Sequence, residues 1–450
     1  MSTANETSSS SAAAGRQGSL RRELGVFGAV MMGLGSIVGT GVFVSIGVAA
    51  GVAGPAVILA IGLAALVAMC NAFSSAQLAA NHPVSGGTYE YGYTYLHPTL
   101  GFTAGWMFLC AKSASAATAA LGFAGYLLHT FGTSTGDGAQ WLALVAVVTA
   151  VVLTAVVLGG IRRSSATNII IVSVTLAALV LFVLAGLPVL LGNGTANLTP
   201  FFAPAEAGEA GGIQGLLYGT ALMFVAYTGY GRIATMGEEI HAPRRNIPKA
   251  IVITLIVSAL LYIGVGVVAI GAFGAGPLSE ATESQAAPLE TVSRTFGVPG
   301  LHWLIAIGAM TAMLGVLLNL ILGLSRVVLA MGRRRDLPAA TARLNADGTT
   351  PYVAVIVVGV LIAALASIGS VKTTWAFSAF TVLIYYAITN LAALRLRKED
   401  RLYPAAFAWG GLAACLFLAF WVDWQIWLAG LGLIAIGLAW HLLRRRMGAG

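Results

Sequence analysis

Charge is what this sequence has least of. Only 9% of its 450 residues are Asp, Glu, Lys or Arg, whereas about a quarter are charged in a soluble globular domain. Hydrophobic residues make up 58% of the chain, so a water-soluble fold would not have enough polar side chains to cover its surface. The composition excludes a soluble enzyme and a disordered chain, and it predicts a polytopic membrane protein.

Cysteine is also scarce. Cys70, Cys110 and Cys415 lie within apolar runs without metal-ligand spacing, which is typical of small buried hydrophobic side chains. A secreted disulfide scaffold is therefore excluded. The sequence offers no Ser/His/Asp triad, paired-carboxylate site or phosphate-binding loop, and its six histidines lie near predicted span ends or in loops. We expect neither an enzyme nor a bound metal or cofactor.

Long apolar runs, in contrast, fill the chain. A bilayer crossing needs about 20 mostly apolar residues, and twelve stretches qualify. These spans cover roughly residues 25–50, 54–80, 99–130, 141–160, 166–192, 213–237, 249–274, 300–332, 352–369, 372–396, 404–421 and 424–443. The sequence therefore predicts an all-α protein with 12 transmembrane helices. Residues 1–22 lack the apolar core of a signal peptide and are predicted to form a disordered cytoplasmic tail.

The positive charges sort to one side of the predicted membrane. Cytoplasmic loops of membrane proteins carry an excess of Lys and Arg. When the N-terminus is placed in the cytoplasm, 21 of the 24 Lys and Arg residues fall on that side, and Lys112 lies within a span. Both termini are therefore predicted to be cytoplasmic, in an inner or plasma membrane. The net charge of +8 requires no nucleic-acid partner.

Two glycine-rich segments lie in the middle of predicted helices. Residues 33–41 in the first span hold four glycines in nine positions, and residues 226–231 in the sixth span read AYTGYG. Glycine costs a helix about 1 kcal/mol relative to Ala, so each cluster marks a place where a helix can unwind. Close helix packing through small residues is the alternative. Because the two segments occupy corresponding positions five spans apart, they are typical of inverted-repeat transporters with two discontinuous helices.

Four motifs follow one another in the predicted loops and span ends. They are residues 35–43 (GSIVGTGVF), residues 83–89 (PVSGGTY), residues 237–248 (GEEIHAPRRNIP), and Ser325-Arg326 followed by Met331, Asp336-Leu337-Pro338 and Thr350-Pro351. In this order they resemble the amino acid–polyamine–organocation (APC) superfamily of secondary transporters. The resemblance implies two inverted five-helix repeats, residues 23–192 and 193–396. Two accessory helices and the cytoplasmic C-terminus follow in residues 397–450.

The resemblance also implies where an amino acid would bind. An unwound helix frees backbone N–H groups, which suit a carboxylate, and carbonyls, which suit an ammonium. The carboxylate is assigned to the segment Gly39, Thr40 and Gly41, with the Thr40 hydroxyl as an extra donor or, alternatively, as a simple helix cap. The carbonyls expected to meet the ammonium belong to Ile37, Val225, Ala226 and Thr228. Phe224 and Tyr227 beside the second break are candidates for an aromatic lid, or else packing residues.

Lys112 is the most informative single residue. It lies in the third span with no acidic residue nearby in sequence, and an ionisable group inside the membrane is a functional hypothesis by default. Three roles compete: pairing with an acidic group of the substrate, carrying a proton because burial disfavours the charged ammonium, or a structural bond to carbonyls. A fixed positive charge argues against polyamines and cationic amino acids as substrates.

The coupling ion is a further question. In some proton-coupled relatives a fifth-span lysine takes the place of sodium, but this chain has Thr175 there. Sodium-coupled relatives use first-span carbonyls and eighth-span hydroxyls, to which Gly35, Val38 and Thr311 correspond, whereas a second hydroxyl position is alanine. The resulting cage is poor in oxygen, and Lys112 offers an amine from another helix. The sequence therefore favours H+ slightly over Na+.

Charged residues cluster at the predicted inner ends of several spans. Glu238 and Glu239 end the sixth span, and Arg21, Arg22 and Arg326 lie at other inner ends. We interpret them as an inner gate whose ion pairs break when the transporter opens inward, or as solvated helix ends.

Together these features predict a secondary-active amino acid transporter that works by alternating access. The first expectation is proton-coupled uptake of neutral or acidic amino acids, with an exchanger or a sodium-coupled symporter as alternatives. A non-transporting membrane sensor with the same fold is the alternative from another class, although both tails are short for an output domain. The expected partners are the small-molecule substrate, the coupling ion and the lipid bilayer.

Overall fold

The chain folds as an all-α protein in a computed structural model. The structure describes residues 24–83, 86–132, 138–160, 165–193, 195–202, 211–235, 240–346 and 349–447. Within these ranges the one β-type pairing is an isolated parallel bridge between Leu24 and Ile240. The predicted all-α class is confirmed. The predicted tail, residues 1–22, lies outside the described part.

Eighteen α-helices follow one another in the described ranges, numbered here in chain order. They are α1 Val26–Ile37, α2 Thr40–Phe43, α3 Ser45–Ala53, α4 Val57–Asn81, α5 Thr88–Tyr95, α6 Pro98–Thr130, α7 Gly138–Leu158, α8 Ser165–Asn193, α9 Gly212–Tyr227, α10 Gly231–Thr235, α11 Pro243–Phe273, α12 Ala275–Gln285, α13 Pro288–Arg294, α14 Leu301–Arg333, α15 Tyr352–Ala366, α16 Val371–Leu394, α17 Ala405–Ala419 and α18 Trp424–Met447.

The helices identify a multi-pass membrane protein. Eight helical stretches are long and apolar enough to cross a bilayer, and three shorter apolar helices lie at Val26–Ile37, Tyr352–Ala366 and Ala405–Ala419. A span of about 20 residues matches the hydrocarbon thickness, so the shorter helices do not by themselves reach across it. The polytopic class predicted from composition therefore holds, and the count of twelve spans stays a prediction.

Several short helices lie where the sequence suggested loops. The helix α5 begins inside the expected loop at residues 83–89, and α12 and α13 fill the segment between the predicted seventh and eighth spans. Gly87 precedes α5 with φ +57°, a conformation that suits glycine. Glu90 in the first turn then complements the helix dipole. Span-length hydropathy does not detect helices this short and polar.

The most deeply packed helices are α6 and α16. In their most apolar 18-residue windows, 83% of α6 and 78% of α16 is buried, against 17% for the last helix. A helix that is buried on all sides sits in the centre of a bundle. Lys112 therefore lies on one of the two central helices rather than facing lipid.

A buried aspartate joins three segments at one end of the bundle. Asp336 accepts hydrogen bonds from the phenols of Tyr89 (2.7 Å) and Tyr93 (2.6 Å) with one carboxylate oxygen, and its other oxygen lies 3.2 Å from Nδ1 of His441. Its backbone carbonyl accepts from the indole of Trp440 at 2.8 Å. Burial and the hydrogen bond to Asp336 raise the pKa of both phenols, so they remain donors at neutral pH. The last helix is thereby tied to α5.

Replacing this carboxylate tests the junction. We expect Asp336→Ala to destabilise the protein because it leaves the buried phenol of Tyr89 and the half-buried phenol of Tyr93 without an acceptor, at about 1–3 kcal/mol for an unsatisfied buried group. The measurement is the midpoint of thermal unfolding in detergent. The matched control is Glu399→Ala, whose ion pair with Arg397 is 3.6 Å long and exposed. Equal midpoints for the two variants would contradict the assigned role of Asp336.

Candidate functional site

The first apolar segment is interrupted near its middle. The helix α1 ends at Ile37, Val38 is extended and Gly39 is also non-helical, and a new helix, α2, begins at Thr40. Gly39 lies so close to α14 that a Cβ there would come 2.7 Å from Cγ2 of Val316. The hydroxyl of Thr40 is buried and has no hydrogen-bond partner in the described part of the chain. The break therefore presents an unsatisfied polar group inside the bundle.

The second interruption faces the first. The helix α9 ends at Tyr227, and a 3-10 turn over Thr228–Tyr230 connects it to α10. Gly229 packs directly on the backbone of Ser36, and a Cβ at this position would overlap the Ser36 carbonyl. A Cβ on Gly41 would likewise come 2.8 Å from the side chain of Ala226. The glycines thus let two broken helices touch through their backbones.

Hydroxyl groups satisfy the carbonyls that the breaks release. Tyr262 donates to the carbonyl of Ile37 at 2.8 Å and lies 3.4 Å from that of Ala226. Tyr386 donates to the carbonyl of Thr228 at 3.2 Å. An unpaired backbone carbonyl inside a membrane costs several kcal/mol, so these tyrosines stabilise the unwound backbone. Each carbonyl retains a second lone pair for a ligand.

Lys112 is anchored to the second break. Its ammonium donates to the hydroxyl of Thr228 at 2.7 Å, and that hydroxyl in turn donates to the carbonyl of Val225 at 2.7 Å. The side chain is 8% exposed. Among the described residues no carboxylate lies within ion-pair distance of Lys112. The ammonium therefore has a hydrogen-bond acceptor but no counter-charge.

A cavity of about 400 Å³ lies between the two breaks, within the size range of small-molecule sites. It extends from Thr40 and Lys112 to Arg333 at the end of α14. Seven of the ten predicted substrate residues line it, namely Ile37, Thr40, Gly41, Lys112, Val225, Ala226 and Thr228. The cavity therefore brings together most of the positions chosen from the sequence.

The other three predicted substrate residues do not line the cavity. Gly39 packs against Val316, and Phe224 is fully buried with its ring edge against Tyr386, 5.6 Å between centroids. Tyr227 is also buried and donates to the carbonyl of Ile61 at 3.3 Å. Both aromatic side chains hold the second break in place instead of covering the cavity.

The predicted ion-coupling residues fall into two groups: Gly35 and Val38 lie near the first break, and Thr175 and Thr311 lie within long helices. Gly35 packs against α8, where a Cβ would come 2.9 Å from Val172, and Val38 lies in the extended link after α1. The hydroxyl of Thr175 donates to the carbonyl of Ile171 at 2.8 Å within its own helix. Thr311 likewise donates to the carbonyl of Ile307 at 2.8 Å. Neither threonine appears in the lining of the cavity.

The predicted gate is described only in part. Arg326 lines the cavity and forms no ion pair with the described residues. Arg21, Arg22, Glu238 and Glu239 lie outside the described residues.

The sequence reasoning missed the aromatic and amide groups of the cavity. Phe108, Trp375, Tyr385 and Tyr386 line it, together with Asn319. A lone amide in an apolar span such as the predicted eighth is a usable signal, because polar residues inside a membrane are rare and functional. The aromatic rings carried no comparable signal, since aromatic side chains are common throughout membrane helices.

A multi-pass bundle in which two broken helices border a largely apolar cavity with a few polar groups is the class of structure that binds small solutes within the membrane. The chain matches the amino acid permease family over residues 28–448 and belongs to it. This finding confirms the resemblance to the amino acid–polyamine–organocation superfamily, and it places the chain in a family of transporters.

Similar proteins cover nearly the whole chain. An uncharacterized transporter of Mycobacterium tuberculosis (strain ATCC 25618 / H37Rv) is 40% identical over 95% of this chain and 92% of its own length. A branched-chain amino acid permease of Bacillus subtilis (strain 168) is 27% identical over 97% of this chain and 95% of its own. A methylthioribose transporter of the same organism is 27% identical over 95% and 94%. Relatives of this chain thus differ in their named solutes.

The contact between the two helix breaks can be tested by adding a methyl group at Gly229. We expect Gly229→Ala to lower the thermal unfolding midpoint or the yield of folded protein, because the new methyl group would meet backbone atoms of Ser36 that cannot rotate away. The matched control is Gly62→Ala in α4, where nothing lies within 4 Å of the added Cβ. If the two variants unfold at the same temperature as the parent, the breaks do not touch as described.

Proposed function

We propose that this protein is a secondary-active amino acid transporter that works by alternating access and takes up neutral or acidic amino acids together with protons. The observation that carries the proposal is the cavity bounded by both helix breaks, with a buried cation and an unsatisfied hydroxyl in its wall. Membership in the amino acid permease family supports the substrate class. A related chain named as a branched-chain amino acid permease supports it as well.

The proposed architecture is twelve spans in two inverted five-helix repeats. Residues 23–192 would form the first repeat, residues 193–396 the second, and residues 397–450 the accessory helices and C-terminus. The interruptions after α1 and after α9 support this division, since they fall in the first span of each proposed repeat. Paired broken helices near the midplane are the mark of such repeats.

The proposed orientation places both termini in the cytoplasm of an inner (plasma) membrane. The excess of Lys and Arg in alternate loops supports it. With this orientation the cavity reaches toward the cytoplasm, because Arg326 and Arg333 near the end of α14 lie along it. The shape then corresponds to an inward-facing state. Arg326, together with Arg21, Arg22, Glu238 and Glu239, is the proposed inner gate.

The substrate's two charged ends would bind at the two breaks. We assign the carboxylate to the Gly39–Gly41 segment, because the Thr40 hydroxyl is buried there without a partner. The ammonium is assigned to the second lone pairs of the Ile37, Ala226 and Thr228 carbonyls, which tyrosine hydroxyls hold in place. A preorganised polar site of this kind avoids leaving either charge unpaired.

Proton coupling is assigned to Lys112. It is a titratable side chain buried in the cavity wall, and loss of its proton would remove the uncompensated charge. The hydroxyls of Thr175 and Thr311 already donate within their own helices, so they are proposed to contribute to coupling only as acceptors, as are the carbonyls of Gly35 and Val38.

Counterflow in proteoliposomes tests the function. Vesicles preloaded with one amino acid are expected to accumulate the same labelled amino acid, and an inward proton gradient is expected to drive net uptake. Net uptake driven by sodium alone identifies a sodium symporter, and exchange without net uptake identifies an antiporter. If no amino acid in a full panel exchanges, the transporter assignment fails and a sensor with this fold is left.

The Thr40 hydroxyl supplies a single-residue prediction. We expect Thr40→Val to raise the half-saturating concentration of any transported amino acid about tenfold, the effect of losing one hydrogen bond to a charged group. The unfolding midpoint is expected to stay unchanged, because the hydroxyl has no partner within the described protein. Thr149→Val, which removes a hydroxyl that donates to the carbonyl of Val145 within α7, is the matched control. Equal transport constants for both variants would contradict the assigned role.

A further inference from the structure

The charged side chains that the described residues contribute to the cavity wall are all basic. Of the described residues that line it, Lys112, Arg232, Arg326 and Arg333 are basic, and none is Asp or Glu. Lys112 lies beside the second break, at one end of the cavity. Arg333 lies at the C-terminal end of α14, at the other end of the cavity. A cleft lined by one sign of charge raises the local concentration of ions of the opposite sign. The approach to the site therefore favours anions.

Lys112, the most buried of these cations, has no counter-charge among the described residues. The Lys112 ammonium has three donors, and it uses one on the hydroxyl of Thr228. That hydroxyl has committed its own hydrogen to the carbonyl of Val225, so it acts toward Lys112 only as a neutral acceptor. A buried charge is stable when it is paired and hydrogen-bonded. Two donors and the full charge of Lys112 remain for a ligand.

Asn319 supplies a second open polar group in the same wall. It lies on α14, is 8% exposed, and lines the cavity. No hydrogen bond joins its side chain to any other described residue, and a buried amide normally has such partners. An amide in this state can donate two hydrogen bonds to an oxygen ligand.

Ser115 completes the polar part of the wall one turn from Lys112 on α6. Its hydroxyl lies 2.7 Å from that of Ser378, whose own hydrogen is donated to the carbonyl of Ala111 at 2.9 Å. Ser115 therefore donates to Ser378 and turns no hydrogen toward the cavity. This hydrogen-bond chain fixes α16 against α6 and removes Ser115 from the donors available to a ligand, whereas Lys112 and Asn319 keep theirs.

We propose that Lys112 and Asn319 form a subsite for a carboxylate in the substrate's side chain, so that the transported class is amino acids with an acidic side chain. This inference rests on the proposed function and narrows it. A neutral zwitterion supplies no net charge to balance the Lys112 ammonium, whereas a dicarboxylic amino acid supplies one negative charge. Arg326 and Arg333 along the cavity attract the same anion at longer range.

Matched pairs of substrates test the subsite in the parent protein. Glutamate and glutamine, or aspartate and asparagine, have nearly the same size and differ in one negative charge. Counterflow in proteoliposomes is expected to favour the acidic member of each pair by at least about tenfold, the usual discrimination when a hydrogen-bonded charge partner is missing. Exchange of glutamine at least equal to that of glutamate would overturn the proposal while leaving the transporter assignment intact.

Two variants test the residues. Lys112→Met keeps the length of the side chain without its charge, and it is expected to lower the glutamate-to-glutamine ratio at least about 30-fold, since removing one member of a buried charge pair costs that much or more. Asn319→Leu is expected to lower the same ratio about tenfold. Lys112→Arg is expected to restore part of the preference. An unchanged ratio in Lys112→Met contradicts the subsite.

Controls separate the subsite from other causes. Lys372→Met removes an exposed cation that pairs with Glu283 at 3.1 Å, and its substrate ratio should equal that of the parent. Elution of each variant from a sizing column establishes that it is folded. Replacing chloride by sulfate in the buffer tests whether the subsite binds an inorganic anion instead. If uptake of neutral amino acids requires chloride in the parent but not in Lys112→Met, the subsite holds an inorganic anion and the proposal fails.

Discussion

The structure depends on one constraint: a backbone polar group inside a membrane needs a partner, and this chain breaks two helices inside the bundle. The breaks are possible because Gly229 rests on the backbone of Ser36, which brings the two unwound segments together. Tyr262 and Tyr386 then satisfy the carbonyls that are released. What remains open between them is the cavity, so the site follows from the way in which the breaks are stabilised.

Because charged residues are rare in this chain, each charged side chain inside the bundle needs a structural or functional explanation. At the end of α14 the Asp336 carboxylate lies among phenols and an imidazole, and this junction holds helices together. Lys112 differs because its single bond is to the neutral hydroxyl of Thr228. A buried cation without a counter-ion does not stabilise a fold. Its position in the cavity wall instead suits a group whose partner arrives with the substrate.

Much of this architecture was accessible from the sequence for physical reasons. Apolar length predicted the all-α polytopic class, glycine clusters predicted the two interruptions, and the rarity of charge singled out Lys112. The identity of its partner was not accessible, because the bond to Thr228 joins residues 116 positions apart. The sequence also did not show that Tyr385 and other aromatic residues line the cavity or that Phe224 does not. Hydrophobicity does not say which face of a buried helix borders a cavity. The sequence did not predict the short helix α5, because its polar residues do not have the hydropathy of a membrane span.

The central claim is that the cavity between the breaks is where the substrate binds. Val316 lines that cavity opposite Gly39, so it can report occupancy when changed to cysteine in a protein whose Cys70, Cys110 and Cys415 are replaced by alanine. We predict that an amino acid which exchanges in counterflow slows the reaction of this cysteine with a thiol reagent, while a cysteine at exposed Ser284 reacts at an unchanged rate. Equal rates at position 316 with and without the amino acid would contradict the account.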